Sequence, residues 1–156
     1  MSAHTDAYEN KLIDFHFRGQ ALGLANSTAA AGTGPSQWFI GLIGVAGSDA
    51  SVGAELSGGG YARVAVPCSL ASWAGTQGAG STAVSTGTSG TTSNNNAITF
   101  PTPSGAWGQA VEWGAFDSLT GGTECFRGTL TQPKTINAGD PAPYFPPGTL
   151  TYQNDN

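Results

Sequence analysis

Apolar and polar positions alternate in short runs along most of this chain, and only the N-terminal stretch repeats at helical spacing. In residues 5–20, "TDAYENKLIDFHFRGQ", Tyr8, Leu12, Phe15 and His16 recur on one side. Thr5 or Asp6 is placed to cap the N-terminus, Asp6 and Glu9 complement the helix dipole, and Gly19 stands as a C′ stop after Arg18. The predicted helix is short and needs a surface to pack on, in this domain or on a neighbouring subunit.

Beyond it the pattern is that of strands. "QWFIGLIGV" at 37–45 is a compact apolar run of the kind a buried strand carries. In "GGGYARVAV" at 58–66 the glycines end a turn, and the strand then sets Ala62, Val64 and Val66 toward the core and Tyr61 and Arg63 on the opposite face. "AITF" is a short strand ended by "PTPSG". "WGQAVEWGAF" places Trp107, Val111, Trp113 and Ala115 on one face and Glu112 on the other. "DSLTGGTE" reads as a hairpin turn, and "CFRGTL" returns with Phe126 and Leu130 on one face and Arg127 on the other. A further strand is read at 134–136, followed by a proline-rich bend and a last strand in "GTLTY". About eight short strands at this spacing predict an all-β fold, an antiparallel β-sandwich or jelly-roll-like arrangement with a short N-terminal helix. The length of 156 residues predicts one domain over 1–156, with 1–24 as its helical segment.

Two stretches interrupt the alternation. Residues 25–36, "ANSTAAAGTGPS", form a loop by composition, and the sequon-like triplet at Asn26 is read as without consequence. Residues 72–96 hold no charge and consist mostly of Gly, Ser, Thr and Asn. So long a segment is read as a functional loop, a disordered stretch or an extended arm lying on a neighbour.

Composition narrows the function classes. Charged residues make up 10% of the chain and the net charge is −5. The five basic residues, Lys11, Arg18, Arg63, Arg127 and Lys134, are scattered, so no basic stripe is present to neutralise phosphates and nucleic-acid binding is not expected. Cys68 and Cys125 are read as small buried thiols rather than a disulfide. The N-terminus has no apolar signal region and no run is long enough to span a membrane, so the expectation is synthesis in a host cytoplasm without membrane contact.

Candidate chemistry is sparse. His4 and His16 are the two histidines, and no HExxH, CxxC, GxSxG or phosphate-loop pattern occurs. Glu112, Asp117 and Asp140 do not form an evident acid pair, and Asp117 suits the turn it begins. An oxygen-ligand cation site is left open at Asp49 or Asp140. No catalytic, cofactor-binding or metal-binding residue is assigned. Arg63 and Arg127, mid-strand in a charge-poor chain, suggest an interface salt bridge, and Tyr61, Arg63, Trp73 and Arg127 are the candidate subunit-contact residues.

The order of these segments resembles a family of small tailed-bacteriophage virion proteins, commonly labelled phage tail fibre protein. The resemblance is carried by "YENKLIDFHFRGQAL", "WFIGLI", "GGGYARVAV", "AITFPTPSGAWGQAVEWGAFDSLTGGTECFRGTL" and "PKTINAGD…FPPGTLTY". It implies a non-enzymatic structural protein of the virion, tail- or fibre-associated, without cofactors, forming a homo-oligomer and contacting tail or major capsid protein. Two alternatives accompany it. One is a capsid decoration (cement) protein that clamps the head lattice. The other is a carbohydrate- or receptor-binding module, which requires an exposed Trp73 or Trp107 near a carboxylate to meet a host surface glycan.

Overall fold

The computed structural model describes residues 4–24 and 34–154. The loop expected at 25–36, including Asn26, lies for the most part outside the described residues. Among the described residues the chain forms one helix, α1 (Asp6–Arg18), and nine strands. These are β1 (Gln37–Val45), β2 (Ala54–Glu55), β3 (Val64–Pro67), β4 (Thr91–Ser93), β5 (Ile98–Thr99), β6 (Gly108–Phe116), β7 (Glu124–Ile136), β8 (Tyr144–Phe145) and β9 (Thr151–Gln153). The fold is all-β with an N-terminal helix, and its pairings are antiparallel. The chain divides into two compact units, one of Met1–Gln37, Pro67–Ala97 and Pro146–Asn156, the other of Trp38–Val66 and Ile98–Phe145.

The second unit is a two-layer sandwich. Its main sheet runs β2-β1-β6-β7, with β3 also pairing β1. Leu42 lies opposite Trp113 and Ile40 opposite Ala115, and these side chains are buried together. The short β5–β8 ribbon, with Ile98 opposite Phe145, covers that face. Phe100 and Phe145 meet edge to face at 6.1 Å, and with Leu42, Ala110 and Ile136 they line one apolar pocket. Strands this short are stable only as layers, because a two-stranded ribbon alone buries too little.

Two expectations about β6 and β7 are corrected. Strict alternation was expected to place Trp107, Val111, Trp113 and Ala115 together. Gly108 instead takes φ +99, and the register shifts between Ala110 and Glu112. The shift turns Ala110 inward at 1% exposure and leaves Val111 only half-buried. The separate strand expected at 134–136 is the far end of the continuous β7, whose bulge hides the connection from a period-two reading. The stretch "YARVAV" also enters the sheet late, since β3 begins at Val64.

The first unit is built around α1. Thr5 caps it through its backbone, its carbonyl accepting from Tyr8 N at 2.8 Å and Glu9 N at 2.9 Å, while its side chain makes no cap bond. Gly19 ends it at φ 66, ψ 17, and a Cβ there would stand 2.6 Å from the Cys68 carbonyl oxygen, so both the conformation and the space call for glycine. The buried face is not the expected one. Tyr8, Leu12, Phe15 and His16 are only half-buried, whereas Glu9, Ile13, Asp14, Phe17 and Arg18 are buried. Phe17 packs on Trp73 at 5.0 Å and on Tyr152 at 5.1 Å. The rotation has a polar cause: this face carries an ion pair, and a hydrophobicity pattern passes over it.

That ion pair fixes the uncharged 72–96 segment, which packs on α1 of its own chain. Arg18 Nη1 meets Asp14 Oδ1 at 2.6 Å with the arginine fully buried. Arg18 Nε donates to Trp73 O at 3.0 Å, and Nη2 donates to Ala83 O. Asp14 in turn accepts from Ser85 N at 2.9 Å and Ser85 Oγ at 2.6 Å. Within the segment Thr92 Oγ1 donates to Ala74 O at 2.7 Å, and Asn94 accepts from Leu150 N at 2.9 Å. Buried hydroxyl and amide groups are tolerated here because the backbone supplies a partner for each of these bonds.

Candidate functional site

The residues singled out in "GGGYAR" converge on one polar cluster in the second unit. Gly58, Gly59 and Gly60 have φ values of 78, 53 and 77, a left-handed turn that only glycine adopts without strain. The Gly59 carbonyl accepts from Ser104 N at 2.9 Å and from Trp107 Nε1 at 2.8 Å, which ties the "TPSGAW" stretch to this turn. A Cβ at Gly59 would lie 2.4 Å from Gly105 O, so the two backbones touch directly. The turn delivers Tyr61 beside β1. Its ring meets Trp107 edge to face at 5.2 Å, and its hydroxyl accepts from Leu42 N at 2.8 Å, a ladder position no strand fills. The same hydroxyl donates to Glu55 Oε1 at 2.8 Å. Burial pushes the Tyr61 phenol well above its usual range, and Glu55 beside it adds to the rise.

Arg63 follows two residues later. Its fork grips Glu55 twice, Nε to Oε1 at 2.9 Å and Nη2 to Oε2 at 2.7 Å, with the side chain 7% exposed. Its Nη1 donates to Ser118 O at 2.6 Å and Gly121 O at 2.7 Å, the carbonyls of the β6–β7 hairpin tip. The guanidinium carbon lies 3.5 Å above the Phe116 ring centroid. Gly41 and Gly114 leave room for that ring, since a Cβ on either would come within 3.0 Å of it. Asp117 closes the tip by accepting from Thr123 N at 2.7 Å, the turn role its position suggested.

The other candidates fall elsewhere. Trp73, expected at a subunit contact, has 0% exposure in the first unit and donates Nε1–H to Pro67 O at 3.1 Å. Trp107 is likewise buried at 5%, so neither ring is presented for stacking on a sugar. Arg127 sits 3.4 Å from Glu124 and near Ser51 O, with 28% of its side chain exposed. The structure therefore joins Tyr61 and Arg63 in one cluster and leaves Trp73 and Arg127 outside it. Glu55 and the Asp14–Arg18 pair were missed. For the latter a signal existed, an acid and a base four residues apart on a helix; Glu55 lies in a stretch that reads only as a turn.

No group of three or more His, Cys, Asp and Glu side chains able to hold a metal ion occurs among the described residues. Asp140 accepts from Asn137 N at 2.8 Å, and Asp49 is exposed. Both cysteines are free, and the expected burial holds for Cys68 but not for Cys125, which is exposed on β7. Burial pushes the Cys68 thiol up to about 12. Native protein treated with a thiol-specific disulfide reagent at pH 8 is therefore expected to react at one cysteine, Cys125, and at the second only on unfolding. Rapid release of two equivalents from the folded protein would contradict this placement.

The fold and this cluster define an all-β module whose arginines bind its own turns and carboxylates. The chain belongs to the family described as "Podophage GP4 fiber I protein gp80", whose family model matches residues 3–153. It is thus a member of a phage tail fibre protein family. No curated protein matches the chain.

Proposed function

We propose that this protein is a non-enzymatic structural component of a tailed-phage virion, fibre-associated, assembling as a homo-oligomer with other virion proteins. The observation that carries the reading is the family match across residues 3–153. The site agrees with it in kind. The Arg63 cluster engages its charged groups with one another, and its phenol is held in the proton-bearing form. Arg63 acts on assembly by fixing the hairpin tip at Ser118 and Gly121, and Tyr61 by holding the Glu55 carboxylate that Arg63 grips, rather than by facing a partner directly. A glycan-stacking role loses support with Trp73 and Trp107 buried.

The test is the particle itself. A cryo-EM reconstruction, with gel densitometry against the major capsid protein, is expected to place the chain on the tail at low copy number. Hundreds of copies spread over the head lattice would instead establish a decoration protein and overturn the fibre reading.

A further inference from the structure

The geometry points to a contact between copies of this chain in which the β6–β7 hairpin tip of one copy seats Leu119 in an apolar pocket of the next, with Asp117 pairing Lys134 there. The inference rests on the homo-oligomeric reading above and names the surfaces that would make it. The receiving pocket lies in the second unit and has a volume of about 80 Å³. Leu42, Phe100, Ala110, Leu130, Ile136 and Phe145 form its apolar lining. The β7 bulge creates the space: β7 advances from Lys134 to Thr129 while β6 advances only from Ala110 to Glu112. The volume suits a branched aliphatic side chain, and an apolar cavity gives water few hydrogen-bond partners.

Lys134 and the 60% exposed Tyr144 complete the lining. Arg63 and Arg127, the unit's other cations, are both paired with carboxylates, whereas Lys134 has no ion pair among the described residues. An occupant that offers an apolar anchor beside a carboxylate therefore fits best. The hairpin tip offers both. Leu119 is 51% exposed and Asp117, also exposed, stands two residues before it. Arg63 holds the tip through the Ser118 and Gly121 carbonyls, so little ordering cost remains on docking.

The two features cannot meet within one copy. The tip follows the Phe116–Glu124 pair at one end of the β6–β7 ladder, and the pocket lies at the end that holds Ala110, Lys134 and Ile136. At about 3.4 Å per residue the intervening strand separates them by roughly 20 Å. Tip and pocket are different surfaces, so the contact is heterologous and generates a ring or a filament. The pocket supplies the anchor, and the Asp117–Lys134 pair at its rim chiefly selects register.

Light scattering on the size-fractionated full chain tests this. The unaltered protein is expected to run as an oligomer, and Leu119→Asp and Lys134→Glu each as a folded monomer that still melts cooperatively, since both positions are exposed. Mixing the two variants is the discriminating step. Leu119→Asp keeps a sound pocket and Lys134→Glu a sound tip, so together they restore one contact and give dimers and nothing larger. The proposal is overturned if the unaltered chain stays monomeric, if either variant keeps the unaltered mass, or if the mixture remains monomeric. None of these results bears on where the chain sits in the particle, which the reconstruction reads separately.

Discussion

Arg18→Ala is expected to destabilise the first unit by about 3–5 kcal/mol, the loss typical when one partner of a buried ion pair is removed. The guanidinium is fully buried and bonds Asp14, Trp73 O, Ala83 O and Ser85 Oγ. Alanine would leave the Asp14 carboxylate, itself buried, without its countercharge. It would also open the space that the arginine stem fills beneath the 72–96 segment. Urea unfolding should show the shift in midpoint, and exchange of the Ala74 amide, which donates to Ser93 O at 2.8 Å, should accelerate with it. The double replacement Asp14→Asn with Arg18→Met is expected to be milder, because it removes both charges while the introduced amide oxygen can still accept from Ser85 N. A loss below about 1 kcal/mol for Arg18→Ala would show that the helix docks through Ile13 and Phe17 alone.

The fold class was legible because strand alternation and turn chemistry are local. "QWFIGLIGV" became β1 at its expected bounds, and "DSLTGGTE" became the β6–β7 turn closed by Asp117. What escaped was set by departures from regular period or by polar burial. Gly108 and the shift at Ala110 reversed part of β6, and no alternation count contains a bulge. The inward face of α1 was misassigned because Asp14 and Arg18 lie on it, and a charge is assigned outward until a partner is visible. Residues 72–96 read as loop or arm because their order comes from side-chain and backbone hydrogen bonds spread across the unit, with no apolar periodicity. In the Arg63 cluster two members, Tyr61 and Arg63, stood out in sequence. Their acceptor Glu55 did not, since nothing in "SVGAELSGGG" marks one glutamate as the residue that both will bind.

The second large effect is expected at Arg63, where the substitution separates charge from shape. Arg63→Ala should cost toward the lower end of about 3–5 kcal/mol, because the Glu55 side chain it abandons is 24% exposed and water recovers part of the loss. Arg63→Lys is the sharper experiment. Lysine keeps the charge but presents a single ammonium, which cannot span both Glu55 oxygens, reach the Ser118 and Gly121 carbonyls and lie flat on Phe116 together. More than half of the alanine effect is therefore expected from lysine, read as the shift in urea midpoint. The hairpin tip should loosen in the same variant, with faster exchange of the Thr123 amide, which donates to Asp117. If the tip is the docking element, Arg63→Lys should also weaken self-association beyond its effect on folding, since Leu119 would then reach the pocket from a disordered turn. A lysine variant as stable as the parent would mean that Glu55 asks only for a positive charge and that the bidentate geometry contributes nothing.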